Sequence, residues 1–225
     1  MRWEGERQSD NVEDRRASGG GGSGFGFGGR SVGIGTIVIA LLAWYFFGIN
    51  PMTTIGAVDS VRGGSPQVVQ QGPAQKPPAS DQGAAFVSTV LASTEDAWNQ
   101  VFRDGGAQYR APKLVLFRGV TPTACGTGQS AMGPFYCPGD QKVYLDMNFF
   151  DTLSRQLGAP GDFARAYVVA HEVGHHVQTL LGTTAKVDSL RGRVSERENN
   201  ALSVRMELQA DCFAGIWANK SQQAK

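Results

Sequence analysis

Tyr167–Leu181 reads YVVAHEVGHHVQTLL and holds every histidine of the 225-residue chain: His171, His175 and His176. Residues four apart on an α-helix lie on one face, one turn apart. His171 and His175 can therefore bind one metal ion from the same side, and Glu172 between them can take a proton from metal-bound water. A helix that carries its histidines by chance is the plain alternative, because a bare H-E-x-x-H string does occur without a metal. The rest of the chain has to supply the context.

A catalytic zinc takes three protein ligands and keeps a further position open for water. His176 is offset by about 100° from His175 on a helix, so the third donor is expected to be a carboxylate. Glu207 is the leading candidate, within Met206–Gly215, MELQADCFAG. It lies far enough downstream for a turn and a return helix. Asp211, four residues on, shares its face and can hold the outer nitrogen of a histidine ligand, which fixes the tautomer. Asp188, Glu196 and Glu198 are rival ligands in a more polar, loop-like stretch. A solvated helix face is the plain alternative for Glu207 and Asp211. Their apolar neighbours Leu208, Ala210, Cys212, Phe213 and Ala214 weigh against it.

Lys and Arg number 21 and Asp and Glu 20, a formal charge of +1, so no strongly basic nucleic-acid surface is indicated. Cys125 and Cys137 bracket CGTGQSAMGPFYC. In an oxidising compartment they would close a short disulfide loop; in a reducing one they would be two free thiols. Cys212 has no evident partner and reads as buried and free.

Residues 1–30 are polar and then Gly-rich, without an apolar period, and read as a disordered segment. Val32–Ile49, VGIGTIVIALLAWYFFGI, lies in a stretch free of charge. It reads as a single transmembrane helix over 31–50 that meets membrane lipid, with Trp44 and Tyr45 near one interface and Asn50-Pro51 as its stop. A cleaved signal peptide is the rival reading, but the run starts late and no A-x-A site follows. Arg15, Arg16 and Arg30 precede the run and only Arg62 follows closely. That bias places the N-terminal segment in the cytoplasm and the remainder outside it. Residues 51–83, rich in Pro, Gly, Gln and Ser, read as a flexible linker.

The folded domain is expected over 84–225. Helical spacing runs from Phe86 to Phe102, and Thr94 can open a second helix after a break. A strand is expected over 113–120. Phe135–Cys137 and Lys142–Phe149 form a hairpin around Pro138-Gly139-Asp140, with Val143, Leu145 and Met147 on one face. A short helix follows near Leu153–Leu157. Asp162 can cap the metal-binding helix, which ends near Leu181 with Gly182 just beyond. Lys186–Glu198 reads as loop, and a helical pattern returns through Leu202, Met206, Ala210, Phe213 and Trp217.

Four stretches together resemble the bacterial putative neutral zinc metallopeptidase family: MRWEGERQSDNVEDRR, CGTGQSAMGPFYCPGD, YVVAHEVGHHVQTLLG and LSVRMELQADCFAG. H-E-V-G-H followed by E-L-Q-A-D is similar to a gluzincin arrangement, two histidines plus a glutamate from a downstream E-x-x-x-D helix. The resemblance covers the N-terminus and nearly all of residues 84–219. It implies an α+β, zincin-like domain in which a small sheet packs on the active-site helix. It also implies Zn2+ as cofactor, a peptide or protein substrate, and a chain that continues past residue 225, so that 84–225 would be a C-terminally incomplete domain. With the anchor it gives a single-pass protein of the bacterial inner membrane, the catalytic domain on the periplasmic side. Glu172 is then the catalytic base, His171, His175 and Glu207 the metal ligands. An edge strand, Lys113–Val120 or Lys142–Phe149, would hold an extended peptide by β-augmentation. The competing readings are a metal-stabilised, membrane-tethered scaffold without turnover and a hydrolase acting on something other than peptides.

Overall fold

The computed structural model describes residues 3–17 and 75–223. In chain order its elements are β1 (Val12–Asp14), α1 (Gln82–Asp104), β2 (Lys113–Phe117), β3 (Val120–Thr123), β4 (Gly126–Gln129), a 3-10 turn (Ser130–Met132), β5 (Phe135–Cys137), β6 (Lys142–Asp146), α2 (Phe149–Arg155), α3 (Asp162–Leu180), α4 (Thr183–Leu190) and α5 (Glu196–Gln223). The architecture is mixed α+β with small sheets. One sheet has the order β1-β2-β6-β5, and β3 and β4 form a separate antiparallel pair.

The roll of α3 follows from one stripe. Ala166, Val169, Val173 and Val177 recur every three or four residues and are buried, which is the period of a helix face. They pack with Val87, Val90, Leu91 and Trp98 of α1 and with Ala214 and Trp217 of α5. With that stripe inward, His171 and His175 are only part-buried and open to the surface.

The sheet supplies the other wall. Side chains alternate across a strand, so Leu114, Leu116, Val143 and Leu145 join the helical core while Val115, Phe117 and Tyr144 form a second cluster with Cys137 and Phe135. β1–β2 and β2–β6 are parallel; β5–β6 is antiparallel. The expected hairpin is therefore present, though its second strand ends at Asp146 and not at Phe149, which opens α2; Val143 and Leu145 lie in the core and Met147, past the strand, packs against it. Gly182, at φ 76°, follows α3 as the residue that ends it.

Several expectations are corrected. The N-terminal stretch is not disordered where it is described: β1 lies within residues 1–30. It pairs Val12 with Leu114 and Asp14 with Leu116, and Asp14 also bridges Gln75 within the expected linker. Its polar residues are spent on specific partners. Glu95, buried in α1, accepts hydrogen bonds from Arg7, Ser9 and Asn11. Glu13 pairs with Lys142, Lys113 and Arg15, and Arg16 with Asp14 and Asp81. A residue-by-residue apolar period cannot reveal such a segment, because its partners lie far away along the chain.

This pairing bears on topology. The expected transmembrane helix, Val32–Ile49, lies outside the described residues, and among the described residues no helix is long and apolar enough to cross a membrane. Since β1 and β2 share one sheet, residues 3–17 and 75–223 occupy the same side of any bilayer. A cytoplasmic N-terminal segment combined with an extracytoplasmic domain is incompatible with that sheet.

The remaining corrections are local. α1 is a single helix, because Thr94 Oγ1 bonds back to the Leu91 carbonyl within it and opens nothing new. Gly161, not Asp162, occupies the cap position of α3; Asp162 is in its first turn, where a negative charge suits the helix dipole. α4 occupies part of the expected loop and buries no residue, so it carried no apolar stripe to read. The two strands expected at an edge, β2 and β6, are the inner pair; β1 and β5 are the edges.

Candidate metal centre

Among the described residues, His171, His175 and Glu207 form a group whose ligand atoms all lie within 4.8 Å of one another. His171 Nε2 lies 3.2 Å and His175 Nε2 3.5 Å from Glu207 Oε2. Two ligands each about 2.1 Å from a tetrahedral zinc lie about 3.4 Å apart, so this donor set fits zinc. α3 brings the two imidazoles to one face and α5 brings the carboxylate across. The helices can approach because Gly174 has no side chain: a Cβ there would meet the Ala210 backbone.

The outer ring nitrogens are held. His171 Nδ1 lies 2.9 Å from Asp211 Oδ1, which also accepts from the Tyr167 hydroxyl at 2.8 Å. A carboxylate can only accept, so Nδ1–H donates and Nε2 keeps its lone pair for a metal. These bonds, Tyr167's first, lower the Asp211 pKa. Burial and the same hydrogen bond push the Tyr167 hydroxyl up to about 12. His175 Nδ1 lies 2.9 Å from Gln178 Oε1.

Glu172 lines the cleft beside these ligands and is buried. Burial raises its pKa to about 7; the charge of Glu207 pushes the same way, while His171 and a backbone hydrogen bond from Tyr136 oppose it. Without a metal the Glu172 carboxyl is therefore held toward its protonated form. The cleft in front has a volume of about 350 Å³. β5 and its flanking prolines, Pro134 and Pro138, form one wall, and Met206 and Glu207 of α5 form another.

The other sequence candidates stand elsewhere. His176 is buried; its Nε2–H donates to the Arg110 carbonyl at 2.6 Å and its Nδ1 accepts from Tyr136 Oη at 3.0 Å. Burial lowers its pKa, so it is a neutral strut between α3 and β5. Glu198 caps α5, accepting from the backbone N–H and hydroxyl of Ser195, a capping box. Asp188 pairs with Arg191, and Glu196 lies in the first turn of α5. Cys125 and Cys137 are joined in a disulfide, and Cys212 is free and exposed, not buried as expected. Apolar neighbours did not make the Glu207 face an interior one either, since the Glu207 side chain is 60% exposed.

Sequence reasoning missed Gln178 and Tyr167. Gln178 sits three residues after His175 and Tyr167 four before His171, the spacings at which helical side chains meet. That signal was present in the quoted stretch.

Known proteins give a consistent picture. The chain is 49% identical over 227 residues to the uncharacterized protein YpfJ of Escherichia coli K12, covering 99% of this chain and 76% of that one. It is 42% identical over 143 residues to the uncharacterized protein Mb2605 of Mycobacterium bovis, covering 62% of this chain and 46% of that one. No solved structure matches it. The family described as putative neutral zinc metallopeptidase matches residues 1–225. The chain therefore belongs to that family, and with membership comes zinc as its cofactor.

Proposed function

We propose that the chain is a zinc-dependent peptidase in which His171, His175 and Glu207 hold the metal and Glu172 is the catalytic base. The observation that carries this reading is the convergence of those three donors beside a buried carboxyl that is not one of them. A purely structural zinc site has no use for such a group. Bound zinc supplies a Lewis acid and lowers the pKa of water in its open position. Glu172 takes a proton from the attacking water and returns it to the leaving nitrogen. His171 and His175 present Nε2, each fixed by a partner on Nδ1. β5, an edge strand along the cleft, pairs with an extended peptide. Proline has no N–H to pair, so Pro134 and Pro138 confine that pairing to a short stretch.

The apolar run Val32–Ile49 attaches the enzyme to membrane lipid. Residues 3–17 and 75–223, on either side of the run, belong to one unit through the β1–β2 pairing and so share one side of the membrane. The Cys125–Cys137 disulfide favours an oxidising, extracytoplasmic side. Tags at both termini should then be digested in intact spheroplasts; protection of either tag defeats this placement. For the activity, metal analysis should be combined with cleavage of a peptide library by wild type and Glu172→Ala. Zinc in both proteins with cleavage by wild type alone is the expected result. Equal cleavage by the two, or zinc without cleavage by either, defeats the peptidase reading.

A further inference from the structure

Gln178 is fully buried in α3. Its Nε2 donates to the Met206 carbonyl at 2.7 Å and to Gln209 Oε1 at 3.1 Å, both on α5. Its Oε1 lies 2.9 Å from His175 Nδ1.

These contacts leave the amide one orientation. A backbone carbonyl has only lone pairs to offer, so the NH2 group of Gln178 must face Met206. Oε1 must then face His175. An oxygen there accepts, so the proton of the neutral imidazole sits on Nδ1 and the lone pair on Nε2, toward Glu207. Turning the amide over would set oxygen against oxygen at Met206 and leave a buried group unpaired, which is costly.

We infer that Gln178 is a positioning residue: it transmits the direction of the Met206 carbonyl to the tautomer of His175, and so couples the turn that carries Glu207 to the second histidine ligand. The inference rests on the zinc-site reading above. The two outer contacts are chemically unlike. His171 is held by a carboxylate, Asp211, that also accepts from a tyrosine at the surface; His175 is held by a neutral, buried amide that also grips the opposing helix. One backbone turn of α5 thus contributes a ligand, Glu207, and orders another, His175. This is chemistry by which a partner outside the ligand set tunes metal binding.

The experiment uses Gln178→Met in the full chain, a swap that keeps length and volume and removes both polar ends. Zinc affinity is measured by competition with a chelator, and the cobalt-substituted proteins are compared by visible absorption. The variant should bind zinc about 10–100-fold more weakly, and its cobalt bands should weaken and shift as the four-coordinate geometry loosens. Affinity within twofold of wild type together with an unchanged cobalt spectrum overturns the inference. A second measurement needs no variant: in zinc-loaded wild type, nitrogen-15 NMR of the histidine rings should find His175 protonated at Nδ1. Metal on Nδ1 would overturn the inference even if Gln178→Met does not fold. If wild type binds no zinc at all, it is the zinc-site reading that fails, and the two failures are thereby told apart.

Discussion

A Cβ placed on Gly174 would lie 2.9 Å from the carbonyl oxygen of Ala210 and 3.1 Å from its Cα. The atoms in the way are backbone, which cannot swing aside as a side chain tip can. Gly174→Ala must push α5 away from α3. Overpacking of this kind costs typically 1–3 kcal/mol, and here the displaced helix also carries Glu207. A lower melting temperature and at least roughly tenfold weaker zinc binding are expected, a loss comparable to that from disturbing ligand support. Wild-type values in both measurements would show that the helix contact does not govern the ligand geometry.

Glu207→Gln should cost more zinc affinity than Asp211→Asn. The first change removes a charged donor from the ligand group; the second weakens only the hold on His171 Nδ1, for which a loss of about 10–100-fold is expected. Chelator competition on the purified variants ranks them, and the reverse order would exchange their roles.

The raised pKa of Glu172 makes a pH prediction for the metal-free protein. Its folded value, about 7, stands above the ordinary 4.5. The native state therefore favours the protonated form. The associated stability is complete below about pH 4.5 and is lost as pH rises through about 7. Glu172→Gln cannot ionise, so its melting temperature should lack that component of the decline. Parallel melting curves for the two proteins across that window would contradict the assignment.

Glu13 behaves in the opposite sense. Burial works to raise its pKa, but hydrogen bonds from Lys142, Arg15 and Lys113 outweigh it and bring the value down to about 2. Stability from those contacts is present above about pH 4.5 and is lost as pH falls toward about 2. Glu13→Gln should be destabilised near neutral pH, by about 1–3 kcal/mol for leaving a charged network short of a partner, and should lose less than wild type on acidification. Identical acid-unfolding curves would mean that β1 is held by its backbone alone.

Reduction of Cys125–Cys137 opens a loop of sequence separation 12, for which the chain-entropy account gives about 3 kcal/mol. Cys125→Ala/Cys137→Ala should melt at a lower temperature than the oxidised wild type and match the reduced protein. No difference between oxidised and reduced protein would indicate that the β3–β4 region is held by packing alone.

What the sequence revealed was local. Four-residue spacing brought His171 and His175 to one face, and Pro138-Gly139-Asp140 signalled the β5–β6 hairpin because the turn chemistry lies within a few residues. β1 was invisible for the opposite reason: Val12 is its deeply buried apolar residue, and Glu13 is buried through partners elsewhere in the chain. The edge position of β5 was equally hidden. β2 and β6 look like strands by composition, but only pairing shows that they lie inside the sheet.

Val12 is made long before the strand it pairs with. Its partner Leu114 is synthesised roughly a hundred residues later, which at ribosomal rates is on the order of 5–20 s. Until then the Val12–Asp14 backbone lacks β2 as its partner, and an unpaired strand edge recruits other chains. The acids and arginines between Arg7 and Arg16 that later lock onto Glu95, Lys142 and Asp81 meanwhile act as gatekeepers, because charge deters strand-to-strand association. The same residues thus guard the nascent chain from aggregation and then fasten the finished sheet.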